Sequence, residues 1–250
     1  MSGHNRWTKI KRVKEAMGAT KGVLFTKVIR EITIAARNGG GDPEHNARLR
    51  TAMLAAREGN MTNESIARAI KKGTGELEGI SYEELLYEGY GPGGVAFVVE
   101  ILTDNKNRTA GDVRNIFTKA GGSMAASGAV AFQFERKGVI PVKPGPAEDQ
   151  IMELALEAGA EDVVSDGDGG FELRTDGPSM MPVHKALDGK LPLGAPKMMW
   201  LPKTLVPLAG EAAEKVLKLV GTLEENDDVQ NVYANFEIND DELAAIEARA

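Results

Sequence analysis

The chain has 250 residues, 42% hydrophobic and 27% charged, a mix that supports a packed core and excludes wholesale disorder. It contains no cysteine, which excludes disulfide frameworks, thiol nucleophiles and every zinc site that needs thiolate. The formal net charge of −7 is unevenly spread: residues 1–75 hold 15 Lys+Arg against 6 Asp+Glu, a net +9, and the remainder 15 against 31, a net −16. A basic segment of this kind gathers a polyanion and releases its counterions, whereas the competing explanation is a solvated helix surface.

In chain order, the start Met1-Ser2-Gly3-His4-Asn5-Arg6-Trp7 has no apolar stretch, and no later run reaches membrane-span length. A cytoplasmic setting without membrane contact is expected. Arg6-Trp7-Thr8-Lys9-Ile10-Lys11-Arg12-Val13-Lys14 interleaves cations with one aromatic. Basic groups suit phosphate and an aromatic can stack on a base, so the charge cluster is read as a nucleic-acid contact, whereas Trp7 taken alone is expected to dock this arm on the bundle. From Gly22 to about Arg37, Leu24, Val28, Ile32 and Ala35 build an apolar helical stripe, with Lys27, Arg30 and Arg37 on another face. Asn38-Gly39-Gly40-Gly41 ends that helix, and Asp42-Pro43 is the expected cap and first turn of the next, which carries Leu49, Met53 and Ala56. Thr62 caps a third helix with Ile66 and Ile70, closing at Lys71-Lys72-Gly73. Together these make a three-helix bundle.

Beyond Gly75 the period changes. Leu85–Tyr90 and Val95–Leu102 are expected as two strands about Gly91-Pro92-Gly93-Gly94, followed by a polar loop over 103–108 and a helix bearing Val113, Ile116, Phe117 and Ala120. Val130–Phe134 and Val139–Val142 are expected strands, then a helix over 148–158 and a hairpin about Asp166-Gly167. A helix over 179–187, a strand over 197–201, a helix over 211–223 and a strand over 229–238 complete the chain before a short helical tail. The class is therefore α+β: an N-terminal three-helix basic domain (1–78) followed by two interleaved ferredoxin-like domains, one of residues 79–135 plus 205–250 and one inserted at 136–204.

No legible site chemistry emerges. Gly89-x-Gly91-x-x-Gly94 matches a dinucleotide fingerprint by count but leads into a strand, not the helix that would receive a pyrophosphate. Asp166-x-Asp168 lacks the remaining ligands of a calcium loop, and His4, His45 and His184 are scattered. We therefore expect a non-enzymatic protein with no metal, cofactor or small-molecule substrate.

The stretches Gly3–Lys11, Phe25–Glu31, Gly39–Pro43, Arg68–Gly75, Glu88–Val95, Thr103–Thr109 and Val130–Phe132 resemble the YebC/PmpR family over nearly the whole chain. Two features depart from it: Asn5-Arg6-Trp7 stands where Ser-Lys-Trp is common, and Met124-Ala125-Ala126-Ser127-Gly128 lacks an acid common there. The resemblance implies three domains and, for bacterial members, DNA-binding transcriptional regulation. The family also includes a mitochondrial translational activator, and bacterial members are linked to relief of ribosomes stalled on proline-rich stretches. The expected partner is thus nucleic acid, either DNA or ribosomal RNA on the ribosome, contacted by Arg6, Trp7, Lys9, Lys11, Arg12, Lys14, Lys27, Arg30, Arg37, Lys71 and Lys72. A protein-interaction adaptor acting through the acidic body is the alternative from another class.

Overall fold

In the computed structural model, the residues described are 21–79, 81–167 and 169–248. Apolar residues at three- and four-residue intervals decide the first helices. These are α1 (Lys21–Gly39), α2 (Ala47–Glu58) and α3 (Asn63–Gly73). Ile32, Ala35 and Ala36 of α1, Leu49, Ala52 and Ala56 of α2, and Ile66 and Ala69 of α3 share one buried cluster. Thr62 caps α3, its side chain accepting the Ser65 N–H. The start of α2 differs from expectation. Its cap is Asn46, not Asp42, which instead accepts from the Glu44 N–H and pairs with the His45 ring. Asn46 accepts the Leu49 N–H and also donates to the Ala35 and Gly40 carbonyls at 2.7 and 2.8 Å. A carboxylate has no hydrogen to donate, so only the amide closes α1 and opens α2 at once.

The body contains two four-stranded antiparallel sheets. The first is ordered β3-β1-β2-β9, from β1 (Glu83–Tyr90), β2 (Ala96–Thr103), β3 (Ser123–Ala125) and β9 (Val229–Ala234). Helices α4 (Lys106–Lys119) and α7 (Gly210–Glu225) pack on one face of it through Val113, Phe117, Val216 and Val220. The second sheet follows the chain order β4 (Phe134–Val142), α5 (Glu148–Glu157), β5 (Asp162–Ser165), β6 (Phe171–Thr175), α6 (Met180–Leu187), β7 (Lys197–Pro202), with spatial order β5-β6-β4-β7. That is the ferredoxin-like β-α-β-β-α-β connection. The first sheet has the same spatial order with the chain order permuted, since β1 enters as a hairpin ahead of β2 and α4. Short β8 (Val206–Leu208) pairs in parallel with β10 (Phe236–Ile238), and α8 (Asp240–Glu247) ends the described chain. A seam of Ala96, Val98, Val130, Phe134, Val139, Met199 and Tyr233 joins the two sheets.

Three expected elements change. Val130–Phe134, expected as a strand, instead runs through a 3-10 turn at Ala131–Gln133 before β4 begins at Phe134. The cause is Glu88 on β1. Its buried carboxylate accepts the backbone N–H groups of Gly128, Val130 and Ala131 at 2.6, 2.6 and 2.8 Å. Amides held this way cannot serve a strand ladder, and Phe132 is left projecting with 67% of its surface exposed. The expected 103–108 loop already contains the start of α4, capped by Asn105 through the Arg108 N–H. The expected 229–238 strand divides at Asn235, whose side chain accepts the Ala96 N–H and whose carbonyl accepts from Val206.

Candidate nucleic-acid interface

The eleven cationic and aromatic residues expected to contact nucleic acid fall into three groups. Arg6, Trp7, Lys9, Lys11, Arg12 and Lys14 lie outside the described residues. Lys27 and Arg30 face the body. Arg37, Lys71 and Lys72 are exposed near the C-terminal ends of α1 and α3.

Helices α1 and α3 cross where Gly73 meets the backbone of Thr33: a Cβ at Gly73 would lie 2.3 Å from the Thr33 carbonyl oxygen and 3.2 Å from the Arg37 nitrogen. This approach, which only glycine permits, brings Arg37 beside the turn that carries Lys71 and Lys72. On α3, Ile66, Ala69 and Ile70 turn inward. Arg68, Lys71 and Lys72, spaced by three and four, turn outward and are all exposed. None of these three makes a side-chain hydrogen bond or ion pair among the described residues. Arg37 donates to Ser81 at the exit toward β1. Cations in a last helical turn are favoured by the helix dipole alone. The continuation of the stripe back to Arg68 goes beyond that effect. Arg68 escaped the sequence reading, although its spacing to Lys71 and Lys72 was available once the inward stripe was known. Exposed Arg57 on α2 is a further cation missed in the same way.

Lys27 and Arg30 have a different role. Lys27 donates to the Glu224 carbonyl at 2.6 Å, near the C-terminal end of α7. Arg30 donates to the Leu102 and Asp227 carbonyls and to Asp228 Oδ1 at 2.8 Å, and its guanidinium lies 5.3 Å from the Tyr82 ring centre. The Asp228 carboxylate is almost fully buried and also accepts from Arg108 Nη2, Thr109 Oγ1 and Thr103 Oγ1, at 2.7, 2.7 and 3.1 Å. Burial opposes its ionisation, but these donors prevail and hold it below the usual aspartate value. The Thr103–Thr109 motif thus builds the socket in which α1 meets the first sheet. Arg48 makes a second tie between bundle and body. It pairs bidentately with Glu31, at 2.7 and 3.0 Å, and reaches Glu84 on β1 at 2.8 Å. No group of three or more His, Asp or Glu side chains among the described residues could hold a metal ion, and no described helix is long and apolar enough to cross a membrane.

Residues 5–76 match the family described as the TACO1/YebC protein N-terminal domain, and residues 82–236 the TACO1/YebC second and third domain. The chain is 59% identical over 241 residues to a probable transcriptional regulatory protein of Myxococcus xanthus, covering 96% of this chain and 97% of that one. It is 52% identical over 244 residues to a protein of the same description from Pelotomaculum thermopropionicum, covering 96% and 100%. The crystal structure of a conserved hypothetical protein from Aquifex aeolicus superimposes with a TM-score of 0.82 at 48% identity, over 89% of this chain and 93% of that one.

Proposed function

The chain belongs to the TACO1/YebC family, and from that premise we propose that it is a non-enzymatic regulator of gene expression that binds DNA through its N-terminal helical domain. One observation carries the reading: Arg68, Lys71 and Lys72 form an exposed cationic stripe on α3, with Arg37 beside it, in the segment whose net charge is +9. Each phosphate neutralised by such cations releases condensed counterions, so the interaction is strong at low salt and falls steeply as salt rises. The descriptions of the bacterial relatives as transcriptional regulators point to DNA as the polyanion. The sequence from Arg6 to Lys14, within the stretch that matches the N-terminal domain family, adds further cations.

The test is a binding titration of the full chain on a DNA duplex, comparing wild type with Arg68→Glu/Lys71→Glu/Lys72→Glu and with Lys9→Glu/Lys11→Glu/Lys14→Glu. Each triple reversal is expected to weaken binding at least about tenfold and to flatten the salt dependence. Unchanged affinity in both variants would overturn the assignment. Crosslinking in cells followed by sequencing of the attached nucleic acid identifies the target: recovery of ribosomal RNA without DNA would replace the transcriptional reading with a translational one.

A further inference from the structure

The body carries a net −16, yet α4 runs against it. Its 14 residues include Lys106, Arg108, Arg114 and Lys119 against a single acid, Asp112. Thr109, Val113 and Phe117 turn inward at four-residue steps, Phe117 edge-on to Phe97 with ring centres 5.6 Å apart. At about 100° per residue the opposite face presents Asn107, Gly111, Arg114, Asn115 and Thr118, all exposed, with Lys119 at its flank and Asp112 beyond it. Arg108 is committed to Asp104 and Asp228. Lys106, Arg114 and Lys119 make no side-chain hydrogen bond or ion pair among the described residues.

A second observation on the same face is independent of charge. Gly111 sits mid-helix, where glycine weakens the helix relative to alanine, and a Cβ added there would meet nothing within 4 Å. Packing among the described residues therefore gives no reason for glycine. A missing side chain at the centre of an exposed polar and cationic face does allow another backbone to approach closely. Asn, Arg and Thr are also the residue types that hydrogen-bond phosphate oxygens and base edges. Finally, the N-terminal end of α4 is fixed to α1, since Arg108 and Arg30 share the Asp228 carboxylate. The helical domain and α4 are thus held as neighbours.

We propose that the outward face of α4 is a second nucleic-acid contact surface, so that one bound phosphodiester chain is engaged by the helical domain and by the first sheet domain together. This rests on the nucleic-acid reading above and extends it to a domain whose net charge argues against it. The ligand chemistry is the sugar–phosphate backbone flanked by base edges, available from DNA or from RNA. A B-form major groove admits a helix face, whereas the A-form equivalent is too narrow, so DNA is the expected source.

The experiment is fluorescence anisotropy of the full chain with labelled DNA and RNA duplexes of one sequence, about 20 base pairs long, at about 50 mM salt. Arg114→Glu/Lys119→Glu is expected to weaken binding to the DNA duplex about tenfold. Gly111→Ala is expected to raise the melting temperature while weakening binding several-fold, a combination that a merely structural position would not give. Gly221→Ala is the control. Gly221 also has open space at its Cβ position, but it lies on α7, where Glu211, Glu214, Glu224 and Glu225 outnumber Lys215 and Lys218, and its replacement should raise stability and leave affinity unchanged. Losses confined to the RNA duplex would support the surface and assign it to RNA. Wild-type affinity of both α4 variants for both duplexes, with Arg68→Glu/Lys71→Glu/Lys72→Glu still impaired, would overturn this proposal and leave the proposed function standing. Failure of the wild-type chain to bind either duplex would overturn both.

Discussion

Two buried carboxylates, Asp228 and Glu88, organise more of this molecule than any of its lysines. Asp228 collects donors from α1, β2 and α4, so Asp228→Ala leaves Arg30 without its carboxylate partner and Arg108 with Asp104 alone. With Arg108 half exposed, the loss belongs at the lower end of the range for broken buried pairs, about 3 kcal/mol, read from urea unfolding. Glu88→Gln keeps the shape but not the charge that draws three backbone amides. A cost of about 1–3 kcal/mol is expected, with faster hydrogen exchange at Gly128, Val130 and Ala131. In both residues burial raises the pKa and the donors lower it further, leaving the folded values below the ordinary 3.8 of Asp and 4.5 of Glu. Their stabilisation is therefore complete above those ordinary values and is lost as pH falls through the depressed folded ones. Unfolding free energy should decline with acid below about pH 4.5, and Asp228→Asn should remove part of that slope; an unaltered slope would assign it to other carboxylates. Neither role was legible in the sequence. The donors that give Asp228 and Glu88 these roles lie 40 to 198 residues away.

At the scale of elements, periodicity was the dependable signal. The inward stripes of α1, α2 and α3, the β1–β2 hairpin and the Phe117 face of α4 all follow from local spacing, since each buries one face against a neighbour. Local spacing failed where a distant side chain took the backbone. Glu88 turned Val130–Gln133 out of a strand, and the dual hydrogen bonding of Asn46 displaced Asp42 as cap. Two predictions belong here. Asn105→Ala removes the α4 cap and should cost about 1 kcal/mol in unfolding free energy. Gly73→Ala places a methyl group against the Thr33 carbonyl and must part α1 from α3, a loss of about 2–3 kcal/mol accompanied by weaker nucleic-acid binding as Arg37 moves away from Lys71 and Lys72.

For the whole molecule, the helical domain and the body act as one unit because Lys27, Arg30 and Arg48 cross between them. Cations that look alike in the sequence are thereby divided: some hold the domains together, and others stay exposed on the surface. Arg30→Ala should loosen the bundle and speed proteolytic cleavage in the 74–82 connection, without the flattened salt dependence expected of the α3 reversals. Equal proteolysis of wild type and variant would assign the domain contact to Arg48 instead.

The sequence alone determined the class, the bundle, the strands that pair locally, the charge division and the family, because each depends on residue types at short range. Tertiary structure alone decided which cations remain exposed, where the strand at 130–134 gives way to a turn, and that α4 joins the helical domain through Asp228. Those outcomes depend on buried polar groups finding partners far along the chain. Satisfying them in a low-dielectric interior is strongly favoured, but no local pattern shows which distant residue will do so.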